Sequence, residues 1–285
     1  MRKIDANLAA HLAEAFAPLN TEAAAHAFPP TASLSMTLDR AIPTGVTMVV
    51  PHAKTLAITK MFTTAAVDMW MRGVHSFLIS TSLTDVSPIW ASVTGYYSSH
   101  YTVRSIAHLL GFFQLFNRKR IVRLEYANSS FVCAFDPKTS HDREHRFYWN
   151  VVKSNPLFAG DPFFTQNLPG DESDVSHRDR ANYADHLPTF PAFRPLDAEA
   201  VKNRIERISD IEFKAPPIPR VSLYPDVESV QVIAYHRLVR FRDLVDAAVG
   251  TSNRFWRVHR DPPWARDFMD FQLIEEPTLR AEFTL

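Results

Sequence analysis

Residues 85 to 111, DVSPIWASVTGYYSSHYTVRSIAHLLG, constrain the fold more than any other part of this chain. Ile89, Val93, Tyr96, Val103, Ala107 and Leu110 recur at alternating three- and four-residue steps, interrupted only by His100. That is the period of an α-helix with one face buried along its whole length. A second row, Tyr97, Tyr101, Arg104 and His108, follows the same spacing and sets two phenols, a guanidinium and an imidazole on one side of the same helix. Few helices with a purely structural role carry such a row.

The rest of the chain is read around that helix. With 285 residues, 46% of them hydrophobic, it can bury a sizeable core as one large domain or as a domain with an extension. Lysine plus arginine equals aspartate plus glutamate, 31 against 31, so a nucleic-acid partner has to be met by a local patch rather than by the field of the whole molecule. The single cysteine, Cys133, excludes an internal disulfide and a cysteine-based zinc site within one chain; in an apolar strand it reads as a small core residue. The first residues, MRKIDANLAAHLAEAF, are interrupted by Asp5, His11 and Glu14, which is not the pattern of a secretory signal. No apolar run is long enough to span a bilayer. A soluble, cytoplasmic protein with no membrane partner is the expectation. Only 7 glycines against 20 prolines and 21 phenylalanines point to helices broken by proline connectors, not to glycine-rich phosphate loops.

In chain order, Ile4, Leu8, Leu12 and Phe16 mark a short N-terminal helix, and VTMVV after the Pro43-Thr44-Gly45 turn predicts a strand of a local hairpin. A helix is expected from about Lys54 to Ser80, with Val67, Trp70, Val74, Phe77 and Leu78 on its buried stripe, packed antiparallel to the helix after it. NRKRIVRLEY and FVCAF, separated by Asn128-Ser129-Ser130, read as an inserted β-hairpin at about residues 117 to 135. Residues 142 to 153 look helical, and 154 to 170 an ordered loop packed through Phe158, Phe163 and Phe164. DESDVSHRDRANYADHL reads as a polar helix with an acidic first turn. Beyond Pro188, Pro191 and Pro195, Asp197 caps a helix whose Ala198, Val201, Ile205 and Ile208 share a face. The last long helix runs from near Asp226 through Ala234, Leu238, Phe241 and Val245 to Gly250. The fold class is mainly α. The division is an N-terminal arm (1 to 53), a helical bundle with the hairpin (54 to 190) and a helical C-terminal extension packed on the bundle (191 to 285).

The order of Tyr96, Tyr97, Arg104 and Gly111 resembles the signature helix of HEPN domains, in which two tyrosines are followed by an arginine seven positions after the second and a closing glycine. Weaker echoes lie at 144 to 152 and 177 to 186, where Arg178, Ala181 and Tyr183 stand as in a later HEPN helix. The resemblance covers about residues 60 to 190. It implies an antiparallel helical bundle, homodimerisation, and RNA or a nucleotide as partner. It also implies a toxin-antitoxin or antiviral defence setting, with an antitoxin or other defence protein as partner. HEPN proteins that cleave RNA carry an arginine and, with four to six residues between, a histidine, usually with a small polar residue after the arginine. Histidine moves a proton near neutral pH and arginine holds the charge developing on phosphate, so the pair suits metal-independent phosphodiester cleavage with no cofactor.

Arg180 and His186 have that spacing and are the expected catalytic pair of such an endoribonuclease. Arg180 is followed by Ala181, not by the usual polar residue, and Leu187-Pro188 puts His186 at a helix end; a capped, solvated helix end is the plainer alternative. Arg254 and His259 share the spacing, and with 12 histidines in the chain spacing alone decides nothing. Tyr97, Arg104, His108, Arg178 and Tyr183 are expected to support the site. Arg104 and His108 stand one residue too close for the family motif, and the bland reading of Arg104 is a buried arginine paired with a carboxylate or with carbonyls. Arg118, Lys119, Arg120 and Arg123, with Tyr126 and Phe131 nearby, could guide an RNA strand. Arg237, Arg240, Arg242, Arg254, Arg257 and Arg260 form a second basic group, and each run could equally be a solvated face. Two readings stand against the ribonuclease. One is a non-enzymatic module holding a nucleotide or a protein through the polar row. The other is a zinc hydrolase, because His141, Glu144 and His145 match H-x-x-E-H, with Glu199 or Glu206 as a guessed third ligand.

Overall fold

The computed structural model describes residues 6, 9, 12–13, 48–49, 52–114, 120–127, 130–137, 144–165, 197–209 and 227–249. They are mainly helical. In chain order they form β1 (Met48–Val49), α1 (His52–Leu83), α2 (Pro88–Leu109), β2 (Phe112–Gln114), β3 (Arg120–Ala127), β4 (Ser130–Pro137), α3 (Glu144–Ser154), a 3-10 turn (Pro156–Phe158), α4 (Pro162–Thr165), α5 (Ala198–Ser209) and α6 (Val227–Val249). No helix among the described residues is long and apolar enough to cross a membrane. The chain divides into two compact units, and neither is one continuous stretch.

One unit comprises Met1–Trp70, Val103–Ala159 and Phe241–Val258. Its sheet has the order β1-β4-β3-β2, antiparallel throughout, with Val122 opposite Phe135 and Phe113 opposite Val122. The β3 and β4 pair occupies the segment where the sequence predicts a hairpin. Met48 and Val49 of VTMVV pair with Cys133 and Val132 of β4, while the residues of the expected local hairpin before them lie outside the described residues. A strand this short gains its ladder bonds from whichever edge is open, and local pattern does not name that edge. Helix-borne core residues of this unit include Val67, Val103, Ile106, Ala107 and Val152, and Trp70 stacks on Phe241 at 5.8 Å between ring centroids. Ser105 donates from Oγ to the carbonyl of Ala66 at 2.6 Å, tying α2 to α1.

Gly111 ends α2. Its φ of +87° is the left-handed conformation a helix stop requires, and its N–H closes the last turn on the carbonyl of His108 at 3.0 Å. The chain can then turn directly into β2.

The other unit comprises Met71–Thr102, Gly160–Arg240 and His259–Leu285. Here α1 and α2 are antiparallel: Ser80 near the end of α1 donates from Oγ to the carbonyl of Ala91 near the start of α2 at 2.6 Å, and Gly73 faces Ser98 and Thr102 further along. Glycine is needed at two contacts. A Cβ on Gly73 would stand 2.9 Å from Thr102 Oγ1, and one on Gly95 would stand 2.8 Å from Val230 Cγ1 of α6 and 3.0 Å from Ser80 Oγ. Backbones approaching that closely leave room only for small side chains, and Ser80, Ser92, Ser98, Ser99 and Thr102 are all buried. The expected loop after Ser154 is instead the 3-10 turn and α4. Phe158 is buried in the first unit, and Phe163 and Phe164 of α4 in the second. Asp197 caps α5 as the sequence indicates, accepting the N–H of Ala200 at 3.0 Å.

Alanine is better than glycine in an exposed helix by about 1 kcal/mol. At position 95 the sign should reverse. Gly95→Ala has to displace a β-branched valine, and overpacking of that kind destabilises by about 1–3 kcal/mol. Thermal unfolding of Gly95→Ala is expected to show a lower midpoint than the wild type, and an unchanged or raised midpoint would refute the close approach.

Candidate functional site

Two polar and aromatic groups on α2 come from the row that the sequence singles out, one in each unit. In the first unit the group is built on the last turn of α2. His108 is 1% exposed. Because Gly111 turns the chain back into β2, the carbonyl of Phe112 reaches His108 Nδ1 at 2.8 Å. A carbonyl can only accept, so Nδ1 carries the hydrogen and donates it. On the other side of the ring, Arg104 Nε donates to His108 Nε2 at 3.4 Å. A guanidinium can only donate, so Nε2 offers its lone pair. The two bonds together require the neutral imidazole, in one tautomer.

The electrostatics agree with the geometry. Burial, reinforced by the positive charge of Arg104 and opposed by the Phe112 carbonyl, pushes the His108 pKa down to about 3. Two rings hold the imidazole in place. Phe113 lies 4.9 Å away between centroids, and Tyr148 of α3 meets it edge-on at 5.4 Å and 87°. The same Tyr148 ring lies under the guanidinium of Arg104, 5.2 Å from centroid to Cζ. Arg104 is therefore a partly exposed cation held by an imidazole on one edge and over a phenol ring. His108 itself is not poised for acid-base work, since its pKa is far below neutral and its lone pair is engaged.

In the second unit the group is aromatic. Tyr96 and His100 are buried with rings nearly parallel, at 7° and 6.3 Å. Tyr97 and Tyr101, one position further along the helix, are partly exposed, and their rings lie 6.0 Å apart with a tilt of 32°. Tyr97 packs edge-on against Tyr96 at 5.3 Å, and Tyr101 rests against His100 at 5.9 Å.

Two members of the second basic group, Arg237 and Arg240, depart from a solvated face, while Arg254, Arg257 and Arg260 lie outside the described residues. Arg237 is buried and donates from Nε to the carbonyl of Phe163 at 2.9 Å; Arg240 donates from Nε to Asp161 Oδ2, also at 2.9 Å, and lies over the Phe163 ring. Asp161 is buried, and its Oδ1 accepts the N–H of Phe163 at the start of α4. These arginines hold α4 to α6. Asp161 was not singled out from the sequence, although an aspartate just before Pro162 is the pattern of a helix cap. Tyr148 was also missed as a member of the site, because α3 meets Arg104 only through the tertiary fold.

The other site residues expected from sequence are placed less fully. Arg118, Lys119, His141, Arg178, Arg180, Tyr183, His186, Arg254 and His259 lie outside the described residues. Arg120 and Arg123 lie on β3, with Arg123 partly exposed; Glu144 and His145 open α3. Among the described residues no group of three histidine, cysteine, aspartate or glutamate side chains is gathered as a metal site would require. No family model, curated protein or solved structure matches this chain.

The buried neutral imidazole predicts a direction for acid unfolding. The unfolded histidine takes up a proton near its ordinary 6.5, whereas the folded one resists until about 3, so stability falls as pH drops through that window. The slope is about 1.4 kcal/mol per pH unit for one proton. Burial also lowers the pKa of His75, so wild type must be compared with His108→Gln. Urea titrations between pH 6 and 4 should show a shallower pH dependence in the variant by about one proton. Equal slopes would mean that His108 is not held neutral.

Proposed function

We propose that this chain is an HEPN-like protein that binds RNA, with Arg104 contacting the phosphate backbone. The observation that supports this reading is the arrangement of Arg104, which is partly exposed and has its orientation set by His108 and Tyr148. A guanidinium whose rotamers are already restricted loses less entropy when it takes up a phosphate, and its planar fork suits that anion.

On this reading cleavage falls to Arg180 and His186, with histidine moving the proton and arginine holding the phosphate charge, and it needs no metal ion. Arg120 and Arg123 on β3, with Arg118 and Lys119 before them, contribute phosphate contacts that guide the strand. A homodimer and a role in toxin-antitoxin or antiviral defence belong to the same proposal and rest on the HEPN resemblance. The neutral state of His108 favours one second reading, a module that binds a nucleotide or protein without cleaving, because the polar row then serves to hold and not to react.

The test uses the purified full-length protein with mixed cellular RNA, with and without EDTA, beside Arg104→Lys and the double change Arg180→Ala, His186→Ala. Arg104→Lys keeps the charge but loses the Nε–H that meets His108. It should weaken RNA binding about tenfold, while removing the charge in Arg104→Ala should lower the salt slope of binding by about one. The double change should abolish EDTA-resistant cleavage. Binding without cleavage would select the module, and absence of RNA binding would end the RNA reading.

A further inference from the structure

We draw no further inference here: the strongest candidate, the surface patch on the first turn of α2 where Trp90 is left 58% exposed, is an apolar face for which nothing in the structure shows what covers it.

Discussion

Much of the structure depends on how closely α1 and α2 can approach. In the second unit that approach is achieved with hydroxyls instead of apolar side chains. Ser80 Oγ donates to the carbonyl of Ala91 and accepts from Gln231 Nε2 of α6 at 3.1 Å; the other hydrogen of the same amide goes to Thr84 Oγ1 at 2.8 Å. Both donors of a fully buried glutamine amide are satisfied by side chains at the end of α1 and just beyond it. A hydroxyl that both gives and receives can sit at a helix contact at little desolvation cost, whereas removing either partner leaves a buried polar atom exposed to that penalty. Arg204 of α5 adds a second polar anchor near the same helix end, through the carbonyl of Thr81 at 2.8 Å and the carboxylate of Asp85 at 2.6 Å. The first is a charge-assisted bond to a carbonyl at a helix C-terminus, where such carbonyls lack intrahelical partners.

The elements were legible where burial repeats locally. The stripe Val67, Trp70, Val74, Phe77 and Leu78, the inner positions Val93, Tyr96, Val103 and Ala107 of α2, and Val201, Ile205 and Ile208 of α5 are all buried as their periods indicate, because each is written within one continuous segment. Polar partnerships were not legible. Gln231 and Ser80 are 151 residues apart in the chain, and no local pattern assigns one to the other. The same holds for Arg237, which a charge count places on a basic face. In the structure it is buried against the backbone of α4. A long side chain on an amphipathic helix can satisfy its charge inward as well as outward, and composition does not distinguish the two.

The candidate site was half legible for a related reason. The row on α2 was visible as a row, since a helix displays what recurs at its period. What each member does was set by the residues that close around it: the Gly111 turn, the Phe112 carbonyl and the ring of Tyr148. The glycine that ends the resemblance to the HEPN helix thus has a local physical role here. With any L-residue at that φ the turn would be strained, and the carbonyl that fixes the His108 tautomer depends on that turn.

The choice of histidine at 108 also narrows where chemistry can reside. The position needs a donor to the Phe112 carbonyl and an acceptor for Arg104 Nε across one flat group wedged between two rings. Lysine offers only donors and would face Arg104 with a like charge; phenylalanine would satisfy neither atom; glutamine has both functions but more rotatable bonds to fix. Neutral imidazole meets every requirement, and it does so by using the lone pair a general base would need. A histidine so employed orients its arginine and is withdrawn from proton transfer. If this chain cleaves RNA, the proton-transferring group is therefore not His108.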